Sequence, residues 1–139
     1  MGRIILRYLI AVLAIAGIVV SSLALRVHYS NETQPCSINE HWDCGIVNHS
    51  SFAEIAGVPV AAVGIAGYAV LMLLAIMGLS RWTLAASLTG LAFALYLTYI
   101  ERNVLQVWCL YCVISQCVIA AITLLSFVEL LLRRKHAAQ

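Results

Sequence analysis

The chain has 139 residues, 63% of them hydrophobic and only 10% charged, with a formal net charge of +2. Ordinary soluble domains are roughly a quarter charged, and a single core of this size cannot bury so much apolar surface, so lipid must solvate part of it. The few basic residues form no patch interleaved with aromatics, which leaves nucleic-acid binding without support.

Four charge-poor segments, at about 6–26, 56–79, 82–100 and 105–131, each approach the roughly 20 residues that cross a bilayer as a helix. The expected fold is an all-α integral membrane protein. It is a four-transmembrane-helix bundle in one domain over residues 1–139, with a long extracytoplasmic loop at about 27–55 between helices 1 and 2. The first segment also resembles a signal peptide, because Arg3 and Arg7 precede its apolar run. That run exceeds the roughly 7–15 residues of a signal h-region, and no convincing A-x-A site follows, so a retained helix is the reading adopted.

Orientation follows from the basic residues. Arg3, Arg7, Arg81, Arg133, Arg134 and Lys135 fall on one side of the expected topology, and only Arg26 and Arg102 on the other. Both termini are therefore expected in the cytoplasm, with the loop outside.

Within the loop, "HSSFAEIAG" reads as the start of a short helix, with Ser50 or Ser51 as N-cap and Glu54 in its first turn. Two glycosylation-type sequons, Asn31-Glu32-Thr33 and Asn48-His49-Ser50, also fall here, and chance matches to so short a pattern are common. Gly57 and Pro59 punctuate the entry to the second helix, and Gly64 and Gly67 on that helix allow close packing of a neighbour.

Five cysteines remain to be explained: Cys36 and Cys44 in the loop, then Cys109, Cys112 and Cys117. Cys36 and Cys44 enclose seven residues, a span that a disulfide closes without strain, and a structural staple is one reading of them. Cys109-Leu-Tyr-Cys112 is a C-x-x-C. Haem attachment needs His after the second Cys, where Val113 stands. A zinc site could draw on all four of these thiols, yet the 36–44 spacing is wide for a knuckle, and no metal is expected. Cys117 reads as packing.

Redox exchange suits the pair best. Cys109 and Cys112 lie three apart on one helix face, near a helix start whose dipole favours a thiolate. The charge-derived orientation puts them on the same side as Cys36 and Cys44. Two dithiols on one side suggest a relay by thiol–disulfide exchange. With no haem, dinucleotide or flavin signature, the simplest two-electron acceptor within a membrane is a quinone. Leu105, Trp108, Cys112, Ser115, Gln116 and Ile119 would form its wall on the last helix, a spacing that equally describes an ordinary helix contact.

Taken together, four spans, "CSINEHWDC" in a long first loop, "SS" and "GVP" before span two, and a C-x-x-C opening the last span resemble the vitamin K epoxide reductase family. The resemblance covers nearly the whole chain. The other quinone-linked thiol oxidase type places its C-x-x-C in the first loop, the reverse order.

The resemblance implies a quinone-dependent thiol:disulfide oxidoreductase that supports disulfide formation. Cys36 and Cys44 would exchange with a thioredoxin-like (DsbA-like) protein, Cys44 would form the mixed disulfide with Cys109, and Cys112 would face the quinone. Ser50 matches a residue the family places near the active cysteines. Its alternative reading is the helix cap. Val60, Gly64, Ser115 and Gln116 would line the quinone site with Cys112. The acceptor would be of ubiquinone, menaquinone or vitamin K type, and the location a bacterial inner membrane. Vertebrate members carry Tyr where this chain has Gln116 and Asn near Val60, which favours plain quinone reduction over epoxide chemistry. Many bacterial members carry a fused thioredoxin-like domain. None follows here, so a separate partner protein is expected. The alternatives are a vitamin K quinone or epoxide reductase of an ER-like membrane, or a non-catalytic membrane scaffold with structural disulfides.

Overall fold

A computed structural model of the chain describes residues 1–32 and 35–139. Thr33, the third residue of the first sequon, lies outside them. Helix α1 (Gly2–Tyr29) is apolar between Arg7 and Arg26 and ends at Ser30, which turns to extended backbone. Asp43 then starts the short α2 (Cys44–Asn48), and a single 3₁₀ turn follows at Ser51–Ala53. Next come α3 (Val60–Ile76), α4 (Ser80–Ile100), a π-helical turn at Glu101–Leu105 and α5 (Leu110–Ala137). Arg134, Lys135 and His136 in the last turn of α5 oppose the negative end of its dipole.

Three helical stretches, Gly2–Tyr29, Ser80–Leu105 and Leu110–Ala137, are long and apolar enough to cross a membrane; α3 is a shorter apolar helix of 17 residues. Large apolar side chains such as Val12, Val70, Leu95 and Leu124 point outward. An all-α chain with this much apolar exterior is an integral membrane protein.

Three expectations shift in register. The second apolar segment loses its first residues to a β-hairpin, in which β1 (Glu54–Ile55) pairs antiparallel with β2 (Val58–Pro59). Ala56 (φ 52°) and Gly57 (φ 81°) are both left-handed, the requirement of a two-residue type I′ turn. The short helix expected from Ser50 is only the 3₁₀ turn, Ser50 makes no side-chain cap, and Glu54 is already strand. The last helix opens at Leu110 rather than near 105. Gln106 adopts a left-handed φ of 54°, and the chain runs extended to Cys109.

Helix α1 packs along α3 and α5, and α4 along α5. One core joins Ile10 and Ala14 of α1, Tyr68, Leu71 and Ala75 of α3, and Ile119 and Ile122 of α5. Glycine permits the closest approach: a Cβ on Gly17 would lie 2.5 Å from the Tyr68 ring, and one on Gly64 would lie 2.9 Å from Ser21 Oγ. Gly67, expected to share that role, meets nothing within 4 Å. At one end of the bundle Arg7 Nε donates to the buried Glu129 at 2.9 Å, and Arg133 donates to Ser80 Oγ. These contacts gather both chain termini and the α3–α4 turn at that end, with the cysteines of the loop and the α5 start at the other.

Candidate redox site

Site geometry begins with Asp43. Its backbone is extended, and its carboxylate accepts from Gly45 N at 2.8 Å, Ile46 N at 3.2 Å and Ser37 Oγ at 2.9 Å. This N-cap places Cys44 as the first residue of α2. Cys36 and Cys44 are joined by a disulfide across a Cα–Cα distance of 5.7 Å. In this state their sulfurs are not free to ligate a metal. The disulfide is enclosed, Cys36 being 2% and Cys44 0% exposed.

The loop is sewn to the start of α5 through its backbone. Trp108 N donates to His41 O at 2.7 Å and Asp43 N donates to Trp108 O at 3.0 Å, a parallel bridge over which the indoles of Trp42 and Trp108 lie tilted 6.2 Å apart. The next residue, Cys109, is thereby buried in one apolar cluster with Val27, Cys36, Cys44, Val47 and Val107. Asn48, one helical turn after Cys44, joins the two segments: its Nδ2 donates to Cys44 O at 2.9 Å and to Cys109 Sγ at 3.5 Å. His28 of α1 holds the Asn48 carbonyl at 2.6 Å and Glu54 at 3.1 Å.

Cys109 is the N-cap of α5, and Cys112 lies in its first turn. Cys109 and Cys112 are free thiols, and Cys109 is wholly buried. The Cys112 thiol donates to the Cys109 sulfur and holds the Cys109 pKa below the ordinary thiol value, while burial and the nearby Glu101 carboxylate oppose the shift. Glu101, 3% exposed, accepts from Cys109 N at 3.3 Å, with the Cys112 thiol beside its carboxyl.

Cys112 borders a largely apolar cavity of about 520 Å³ enclosed by α1, α3, α4, α5 and the segment after α2. Val60, Gly64, Ser115 and Ser50 border it too. Ser50 touches neither sulfur, since its hydroxyl donates to Val47 O at 2.7 Å. Gln116 is not on the wall. Its amide oxygen accepts from Thr98 Oγ1, which is. Of the other expected wall residues, Leu105 and Ile119 line the cavity, whereas Trp108 pairs with Trp42 outside α5. Cys117 is an exposed thiol on the outer face of α5 rather than a packed one.

Three residues here were not singled out by sequence reasoning. Asn48 lies four residues after Cys44, which on a helix is the same face. Glu101 is an acid at the very end of the apolar run of α4, a place where a charge needs a partner. Tyr68 is the single hydroxyl-bearing residue of α3; it contacts both Ser115 O and Ser115 Oγ at 2.8 Å on the cavity wall. A sequence model of the vitamin K epoxide reductase family matches residues 8–127.

Proposed function

The chain belongs to the vitamin K epoxide reductase family, and we propose that within it this protein is a thiol oxidase that supports disulfide formation. Membership makes it a membrane oxidoreductase of a quinone-linked class. In the proposed arrangement residues 1–139 form one domain, α1, α3, α4 and α5 each span a bacterial inner membrane, and both termini are cytoplasmic. The segment between α1 and α3 faces the outer side. The gathering of Arg3, Arg7, Arg81 and Arg133 to Lys135 at the end away from the cysteines supports that orientation.

A reduced thioredoxin-like, DsbA-like protein donates electrons to the Cys36–Cys44 disulfide through a mixed disulfide, leaving two thiols. Cys44 then attacks Cys109 Sγ of an oxidised Cys109–Cys112 pair, and Cys112 leaves as thiolate. Cys36 attacks Cys44 and releases Cys109, so two electrons have moved inward. Quinone, of ubiquinone, menaquinone or vitamin K type, supplies the terminal acceptor of two electrons and two protons. Asn48 and the N-terminal end of α5 stabilise the Cys109 thiolate, and Ser50, Val60, Gly64 and Ser115 shape the acceptor site beside Cys112. Gln116 acts one layer back, by holding Thr98. Because Cys36 and Cys44 are enclosed, the partner reaches them when the 36–43 strip lifts from Trp108.

One observation carries this reading: the two members of the C-x-x-C face different surroundings. Cys109 is enclosed beside the Cys36–Cys44 disulfide, whereas Cys112 borders the cavity. The cavity's volume falls within the roughly 300–1,000 Å³ of small-molecule sites, and its apolar wall with few polar groups suits a quinone ring. The test is purified protein with a reduced thioredoxin-like substrate and each quinone type, followed by quinone absorbance. Quinol formation that is lost in Cys112→Ala is expected; no reduction of any quinone overturns the reading.

A further inference from the structure

An acid buried at membrane depth has to be accounted for, because a desolvated carboxylate is unfavourable unless its partners compensate. Glu101 is 3% exposed, and among the described residues no Lys, Arg or His forms an ion pair with it. It accepts from the backbone N–H of Cys109 at 3.3 Å, and the thiol of Cys112 stands beside the same carboxyl. Both belong to the C-x-x-C. The carboxyl also borders the cavity that Cys112 borders. It stands where α4 gives way to a π-helical turn, an irregularity often found at functional sites.

A purely structural task, accepting the Cys109 N–H at the start of α5, would be met equally by the neutral amide of Gln. A carboxylate at that position adds one capacity, that of taking and returning a proton. We propose that Glu101 is a catalytic residue, the proton acceptor of Cys112, and that it hands the proton on into the cavity. The inference rests on the quinone-linked reading above and supplies its proton route.

As the reduced pair is reoxidised, two S–H bonds break and one Cys109–Cys112 S–S bond forms. Two electrons leave the sulfurs for the quinone, and two protons must follow. The Cys112 proton passes to Glu101 and from its carboxyl to an acceptor oxygen. The Cys109 proton follows by the same carboxylate once it is restored. Tyr68 and Tyr111 are the other titratable groups on the cavity wall besides Cys112. Proton exchange between Glu101 and Cys112 leaves the pair's total charge unchanged, so the wild-type rate should be flat with pH where the carboxyl is ionised.

The test is Glu101→Gln in the full chain, with two readouts across about pH 6 to 8. In single-turnover quinone reduction by the reduced protein, Glu101→Gln should be slower by about 10² at pH 7. Its rate should rise tenfold per pH unit as the thiol ionises to solvent, while wild type stays flat. In the second readout, which needs no quinone, maleimide alkylation of Cys112 resolved by peptide mass should show the same contrast in pH slope. A variant equal to wild type, or slower with the wild-type pH profile, overturns the proposal. If Glu101→Gln does not fold, Glu101→Asp carries the test: it should be slower yet keep the flat profile, and a rising profile overturns it. Wild type that forms no quinol, with the alkylation contrast intact, refutes the quinone reading and leaves Glu101 as the acceptor of the Cys112 proton. Quinol formation with no contrast refutes this inference alone.

Discussion

The side-chain amide of Asn48 donates to Cys109 Sγ at 3.5 Å, across 61 residues of sequence. The same nitrogen donates to the Cys44 carbonyl at 2.9 Å, so one amide ties the helix that carries Cys44 to the sulfur at the start of α5. A donor at that distance favours the thiolate over the thiol. Asn48→Ala removes it and leaves Cys109 less stabilised by about 1.4 kcal/mol, which is about tenfold in rate. Acid quenching and alkylation of Cys44 and Cys109 during one turnover should show that slowing. A variant that exchanges at the wild-type rate removes Asn48 from the site.

Cys109 itself links pH to stability in the reduced protein. Its pKa is held below the ordinary thiol value by hydrogen bonding from the Cys112 thiol, against the effect of burial. Between that lowered value and the ordinary value of about 8.5, the unfolded chain binds more protons at this sulfur than the folded one. The contribution is fully present above the unfolded value and is lost as pH falls through the folded one. Thermal melts of the reduced protein in detergent should therefore show wild type gaining stability over Cys109→Ser as pH rises through this window. A difference that does not change with pH contradicts the shift.

The N-cap at Asp43 should matter for the loop more than for the bundle. Its carboxylate takes three hydrogen bonds, from Gly45 N, Ile46 N and Ser37 Oγ. Asp43→Ala should lower stability by about 1 kcal/mol, whereas Asp43→Asn should lose only part of that. The readout is the rate at which a small reductant opens the Cys36–Cys44 disulfide, which should rise in Asp43→Ala. An unchanged rate would show that Trp42 and Trp108 hold the strip without it.

Glycine substitutions separate close packing from mere flexibility. Gly17→Ala places a Cβ 2.5 Å from the Tyr68 ring and should cost about 1–3 kcal/mol by overpacking, while displacing a side chain of the cavity wall. Gly67→Ala meets nothing within 4 Å and should be neutral or stabilising by up to about 1 kcal/mol. Melting temperatures of the two variants in the same detergent decide it, and equal values would remove the α1–α3 contact as the reason.

Much of this molecule was legible in the order of its residues. Charge-free stretches of about 20 residues announce membrane helices because no water is available there to satisfy exposed polar groups. The C-x-x-C announced a shared helix face because three residues make nearly one turn. Element ends were less legible. Ala56 and Gly57 turn a hairpin where an apolar run suggested helix, and the pairing of Trp108 with residues 41–43 draws the chain straight just before Cys109. Both depend on partners that local sequence does not contain.

By itself, the sequence determined that the chain lives in lipid, which cysteines form pairs of chemical interest, and which end carries the basic residues. These follow from composition and short-range periodicity, where each residue's physics acts on its immediate neighbours. Only the tertiary structure decided that Asn48 reaches Cys109 and that Glu101 reaches both members of the C-x-x-C. A hydrogen bond needs its two atoms within about 3.5 Å. Across 61 residues that separation is set by how α1, α3, α4 and α5 pack, and by no local propensity.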